Sequence, residues 1–100
     1  MPDILLRDDA DGVTTLTLNT PDKLNALDVE LVAALQGQFD ALKVDKDSRV
    51  VILRGAGKAF CAGHDLKQMQ AARSGADKGR AYFKDLFERC ARVMLAIQAL

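Results

Sequence analysis

Residues 49–69 constrain this chain more than any other stretch. Val50-Val51-Ile52-Leu53 is continuously apolar and mostly β-branched, Gly55, Gly57 and Gly63 punctuate the loop after it, and Asp65-Leu66-Lys67-Gln68-Met69 opens a helical pattern. An apolar run of that length is expected of a strand covered on both faces. Glycines after it let the backbone approach a ligand closely. A buried strand, a small-residue loop and a helix start form a layered α/β unit. Unpaired amides at such a junction can hold a phosphate, a carboxylate or an oxyanion formed during reaction.

The preceding residues supply a scaffold. Ile4-Leu5-Leu6 and Val13-Thr14-Thr15-Leu16-Thr17-Leu18 predict an antiparallel hairpin joined through Asp8-Asp9-Ala10-Asp11-Gly12, whose Asp-Gly pair accepts positive φ in a turn, with Leu16 and Leu18 on the core face. Pro21 cannot donate to a sheet ladder, so the second strand ends by Thr20. Asp28 is placed to cap a helix whose Leu31, Leu35, Phe39 and Leu42 form one apolar stripe, and Glu30 suits the positive end of its dipole. Residues 43–48 are a charged connector into the central strand.

Residues 73–77 break the pattern, and from Lys78 onward Tyr82, Leu86, Cys90, Val93 and Ile97 fall on one helical stripe, widened by Phe83, Phe87 and Met94. That face is wider than the ~100° of an ordinary surface helix and calls for partners beyond this chain. The pattern runs to Leu100 without a glycine or proline stop. The expectation is a chain truncated within a long helix, with residues 1–100 forming the first part of one larger domain.

Composition excludes several functions. One hundred residues, 49% apolar and 28% charged, describe a folding globular chain with a thin core. Fourteen basic and fourteen acidic residues cancel, so no global field draws in nucleic acid or an anionic membrane, and neither is expected as a partner. No apolar run approaches the ~20 residues that span a bilayer. Cys61 and Cys90 read as reduced thiols, and Met-Pro-Asp-Ile shows no targeting segment.

Three chemistries compete for the central loop. A nucleotide site fails on motif, because Phe60 stands at the last glycine position of Gly-x-Gly-x-x-Gly and Lys58 is followed by Ala59 instead of Ser or Thr. Cys61 and His64, three residues apart, could form a reactive pair or two metal ligands. A metal wants three or four ligands, and only carboxylates such as Asp65 stand nearby; a catalytic pair wants an orienting group. No metal is therefore expected. Cys61 reads more plainly as a small buried hydrophobe and His64 as a partly packed side chain, with a cysteine-dependent enzyme using Cys61 as a third hypothesis. The remaining chemistry uses a backbone amide near His64, aimed at an acyl oxygen.

Leu24-Asn25-Ala26-Leu27, followed about twenty-five residues later by Val51-Ile52-Leu53-Arg54-Gly55-Ala56-Gly57-Lys58-Ala59-Phe60-Cys61-Ala62-Gly63-His64-Asp65-Leu66, resembles the N-terminal half of the enoyl-CoA hydratase/isomerase (crotonase) family. The resemblance covers essentially all 100 residues. It implies an α/β fold, the N-terminal half of a ClpP-like spiral of ββα units, and a full-length parent that is a homotrimer or a dimer of trimers. It also implies an acyl-CoA substrate whose thioester carbonyl sits between two backbone amides, with coenzyme A entering only as part of that substrate and no separate cofactor.

By the same resemblance, the His64 amide is the first oxyanion donor, where many members have Ala. Lys23, Ala26 and Leu27 lie beside the CoA moiety, and Ala62, Gly63, Asp65 and Leu66 line the adenine and pantetheine path. Read without the family, Ala26 and Leu27 could merely set a helix entry, Asp65 could be an N-cap and Lys23 a solvated charge. Gly63-His64-Asp65-Leu66 is similar to a branch with His at the amide position, whose reaction is less clearly defined. The second amide and the catalytic glutamates of hydratases match nothing here, including Glu30 and Glu88. The expectation is an inactive fragment of a parent that hydrates or isomerises enoyl-CoA. A non-catalytic acyl-CoA binder or assembly protein of the same fold, or a different reaction of the family, is the alternative. The cytoplasm of a bacterium or the mitochondrial matrix is the expected compartment.

Overall fold

The computed structural model describes residues 3–100; Met1 and Pro2, which belong to the N-terminal stretch considered for targeting, lie outside the described residues. Strand β1 (Leu5–Ala10) turns through Asp11 and Gly12 into β2 (Val13–Leu18). Both turn residues have positive φ, 54° and 82°, a pair of left-handed residues that Asp-Gly accepts at low cost. Helix α1 (Val29–Lys43) leads to β3 (Val50–Gly55), and then come α2 (Leu66–Arg73) and α3 (Arg80–Ala99). The sheet order is β1-β2-β3, with β1 antiparallel and β3 parallel to β2. A parallel neighbour needs a crossover, and α1 provides it.

The core lies between one sheet face and the helices. Leu16 and Leu18 of β2 meet Leu31, Val32, Leu35, Phe39 and Leu42 of α1 and Val93 of α3. The period-2 pattern of β2 and the helical stripe of α1 thus bury as expected. Asp28 caps α1, its Oδ1 accepting from the Leu31 amide at 2.8 Å. Asp77 accepts from the Ala81 and Gly79 amides where α3 begins, and this donation holds its carboxyl below the usual range.

The hairpin differs from expectation in one detail: β1 runs on through Asp8, Asp9 and Ala10, leaving only Asp11-Gly12 as the turn. Paired charges make this possible, since the Arg7 guanidinium holds Asp9 at 2.9 Å and Asp45 at 3.0 Å. The central strand corrects a second expectation. Val51 and Leu53 pack on the core, but Val50 and Ile52 face outward, Ile52 with 47% of its surface exposed. Among the described residues β3 is an edge strand with helices on one side only, so period 2 decides burial where a continuous run had predicted two covered faces. In α3, Leu86 and Val93 are buried while Phe87, Met94, Leu95 and Ile97 are exposed. The radius of gyration of 14.7 Å exceeds the ≈ 13 Å of a compact chain this long, consistent with a helix covered on one side. No described helix is long and apolar enough to cross a membrane.

Candidate functional site

Two loops, residues 19–28 and 56–65, meet at the end of the sheet. The first makes a short 3-10 turn (Pro21–Lys23) and then places Leu24 and Asn25 in the left-handed region, φ 53° and 55°. Asn tolerates that conformation better than most residues. Its fully buried side chain then joins the loops: Oδ1 accepts from the Thr20 amide, and Nδ2 donates to the Ala56 and Ala59 carbonyls, all at 2.9 Å. Gly55 lets the second loop fold back, because a Cβ there would overlap the backbone of Ala59 and Phe60.

The loops are also joined through the main chain. Leu27 and His64 form a single parallel bridge, in which the Leu27 amide donates to Gly63 O at 2.6 Å and the Asp65 amide donates to Leu27 O at 3.0 Å. Alternate residues of a bridged segment turn their amides to opposite sides. The His64 N–H therefore faces away from Leu27, and it donates to no backbone acceptor among the described residues. Gly63 before it has φ 94°, a conformation that L side chains rarely adopt, and the space where its Cβ would stand is empty.

Beside this bridge lies a cavity of about 880 Å³. Six of the eight residues expected at a site line it: Lys23, Ala26, Ala62, His64, Asp65 and Leu66. Leu27 and Gly63 do not line it; they form the bridge that presents His64. Asp65 also caps α2, its Oδ1 accepting from the Lys67 and Gln68 amides at 2.9 and 3.2 Å. Lys23 stands 3.8 Å from Asp28 Oδ2. The wall is largely apolar, with Leu24, Met69 and Leu66 (75% exposed), while Lys67 joins Lys23 among the lining residues.

Cys61 is half-buried at the edge of the core, and its sulfur accepts weakly from the Gly63 amide at 3.5 Å. No group of three or more potential metal ligands forms among the described residues. The His64 ring meets Phe87 edge-on, with ring centroids 6.0 Å apart.

Sequence reading missed two organising residues. Asn25 was legible only as part of a motif; an Asn between Pro21 and a helix cap, where left-handed backbone is common, was the available signal. Gln68 gave none, because its partners are distant in sequence: Oε1 accepts from the Val29 amide at 3.1 Å and from the Tyr82 hydroxyl at 3.4 Å. These contacts fix the start of α2 against α1 and α3. Burial pushes the Tyr82 hydroxyl above its ordinary value, and the charges of Asp65, Asp28 and Glu30 add to the effect.

The sequence model of the enoyl-CoA hydratase/isomerase family matches residues 13–98. The chain belongs to that family. A solved enoyl-CoA hydratase from Mycobacterium smegmatis superposes with a TM-score of 0.87 at 50% identity, covering 97% of this chain and 36% of that one. Human enoyl-CoA hydratase domain-containing protein 3, a mitochondrial protein, is 32% identical over 88 residues, which are 88% of this chain and 27% of the relative. Rat mitochondrial 3-hydroxyisobutyryl-CoA hydrolase is 38% identical over 73 residues, 72% of this chain and 18% of the relative. The crotonase-type α/β fold expected from sequence is thus found, and the chain spans about a third or less of the proteins it matches. These relatives carry different reactions in their names, so family membership alone leaves the reaction open.

Proposed function

We propose that the cavity binds an acyl-CoA thioester, with the carbonyl oxygen accepting from the His64 amide as one donor of an oxyanion hole. The observation that carries this is the unpaired His64 N–H, held in place by the bridge on either side of it in the wall of an apolar cavity. A preorganised amide of this kind stabilises negative charge as it develops on the oxygen, because its orientation is fixed before reaction. Ala26, Ala62 and Leu66 give the pantetheine and adenine an apolar wall, and Lys23 and Lys67 supply cations for the CoA phosphates.

In a full-length, oligomeric parent the same half-site would serve hydration or isomerisation of an enoyl-CoA, in bacterial cytoplasm or the mitochondrial matrix. Of the two carboxylates that line the cavity, Asp22 and Asp65, Asp65 already caps α2, which favours binding without turnover for the 100 residues themselves. Acyl-CoA binding with crotonyl-CoA hydration at background is the expected behaviour of the purified chain. The test is calorimetric titration with crotonyl-CoA of the wild type, His64→Ala and His64→Pro. Alanine keeps the amide and should keep affinity. Proline removes the N–H while sparing the bridge atoms of Gly63 and Asp65, and should weaken binding about fivefold to tenfold. Equal affinity for the proline variant overturns the assignment.

A further inference from the structure

We propose that Gln68 is a positioning residue for the His64 amide, its side chain completing a lock between the two loops that two backbone bonds leave unfinished; the proposal rests on the acyl-CoA reading of the cavity. The backbone bonds on either side of His64 converge on one residue: the Leu27 amide donates to Gly63 O at 2.6 Å, and the Asp65 amide donates to Leu27 O at 3.0 Å. Contacts gathered at a single partner restrain a segment's position better than its rotation. A third contact stands off that point. Gln68 Oε1 accepts from the Val29 amide at 3.1 Å, two residues beyond Leu27, where the first turn of α1 leaves an amide without an intrahelical acceptor.

Hydrogen bonds carry this restraint back to His64. The Gln68 amide donates to Asp65 Oδ1 at 3.2 Å, as the Lys67 amide does at 2.9 Å, so the residue next to His64 is tied to the first turn of α2. Apolar packing supplies no equivalent: no residue of α2 is buried, and directional polar contacts set where the helix stands. The Val29 N–H can only donate, which assigns the Gln68 carbonyl oxygen to it and turns Nε2 towards Glu30, whose Oε2 accepts at 3.4 Å. The Tyr82 hydroxyl donates to the same Oε1 at 3.4 Å; burial holds it above its ordinary value of 10.0, so it remains a donor at neutral pH. One carboxamide on a residue of the cavity wall thus joins the first turns of α1, α2 and α3. An oxyanion donor stabilises charge only as far as its orientation is fixed beforehand, and that is what the third contact supplies.

A double-mutant cycle read by calorimetric titration with crotonyl-CoA tests this. Gln68→Met keeps the length of the side chain and removes both hydrogen-bonding groups; it should weaken binding about threefold to tenfold, and no more than His64→Pro does. In the His64→Pro background the amide is already gone, and Gln68→Met should change affinity by less than about twofold. Nitrogen-15 relaxation gives a readout that a loss of global stability does not move: the order parameter of the His64 amide should be about 0.85 in the wild type and fall towards about 0.6 in Gln68→Met. Should methionine unfold the chain, exchanging the pair as Glu30→Gln with Gln68→Glu serves instead. That exchange conserves net charge, keeps an acceptor for Val29 and Tyr82, and should bind within about twofold of the wild type. Gln68→Glu alone sets a second carboxylate against Glu30 and should bind as weakly as Gln68→Met. Unchanged affinity in Gln68→Met, an equal loss with and without the His64 amide, or no rescue by the exchange overturns the role of Gln68 and leaves the acyl-CoA reading intact. Failure of the wild type to bind crotonyl-CoA refutes that reading, and the order parameter then still decides whether Gln68 holds the amide.

Discussion

Asn25→Ala tests how the two loops of the site are held together. The side chain is fully buried and makes three hydrogen bonds at 2.9 Å, to the Thr20 amide and to the Ala56 and Ala59 carbonyls. Each contributes about 1 kcal/mol net, and more where the abandoned partner stays buried without water. Alanine must also hold φ near 55°, a left-handed conformation that costs an ordinary residue roughly 1–2 kcal/mol. The sum is about 3–5 kcal/mol, a large fraction of the roughly 5–15 kcal/mol that stabilises a domain. Urea unfolding followed by circular dichroism measures it directly. Asn25→Gly separates the two causes, since glycine spares the backbone term and should recover about 1 kcal/mol. Asn25→Asp keeps the acceptor for Thr20 but sets a carboxylate against two carbonyls, and should be at least as damaging at neutral pH. A loss below about 1 kcal/mol for Asn25→Ala, or no difference between Ala and Gly, would refute the reasoning.

Other outcomes hang on single positions. Gly37→Ala in α1 should stabilise by about 0.5–1 kcal/mol in the same urea assay, because the site is exposed, no atom lies within 4 Å of the new Cβ, and glycine is a poor helix former. Gly55→Ala should destabilise by roughly 1–3 kcal/mol, since its Cβ meets backbone of Phe60 and Ala59 and no side chain can yield there. Phe39→Ala, at the centre of the core, should cost about 3–5 kcal/mol and lower the thermal midpoint accordingly. Acid stability should depend on the Arg7 cluster. The Asp47 amide, with help from Arg7, holds Asp45 below its ordinary value of 3.8, and Arg7, then Thr14, do the same for Asp9. Groups depressed in the folded state contribute stability that is complete above 3.8 and lost as pH falls through their folded values. Unfolding midpoints of Asp45→Asn should therefore fall less steeply below pH 3.8 than those of the wild type; parallel curves would count against the cluster.

The chain's local periodicities were readable without coordinates. Leu16 and Leu18 alternate into the core because side chains of a strand have period 2, and the stripe from Leu31 to Leu42 is buried because helical neighbours recur every three or four residues. Asp28 and Asp65 could be recognised as caps, since that chemistry lies within three residues of chain. The family was legible in two short motifs, and the family comparison bears it out.

Tertiary structure decided what depends on residues distant in sequence. Val50-Val51-Ile52-Leu53 reads as a strand buried on both faces, but whether the second face is covered depends on which layers lie over it, and Val50 and Ile52 are open. The family resemblance implies that Leu27 and Gly63 lie along the ligand path; pairing between the two distant loops also makes them the bridge that leaves the His64 amide unpaired. The acceptors of the Asn25 clamp and the partners of Gln68 are invisible in sequence, because a hydrogen bond needs only a few ångströms in space and leaves no periodic trace along the chain. The sequence by itself determined which segments are strands and helices and what chemistry the loop could host. That the His64 amide named by the resemblance stands unpaired was decided only by the fold, because an amide is free or paired according to its neighbours in space.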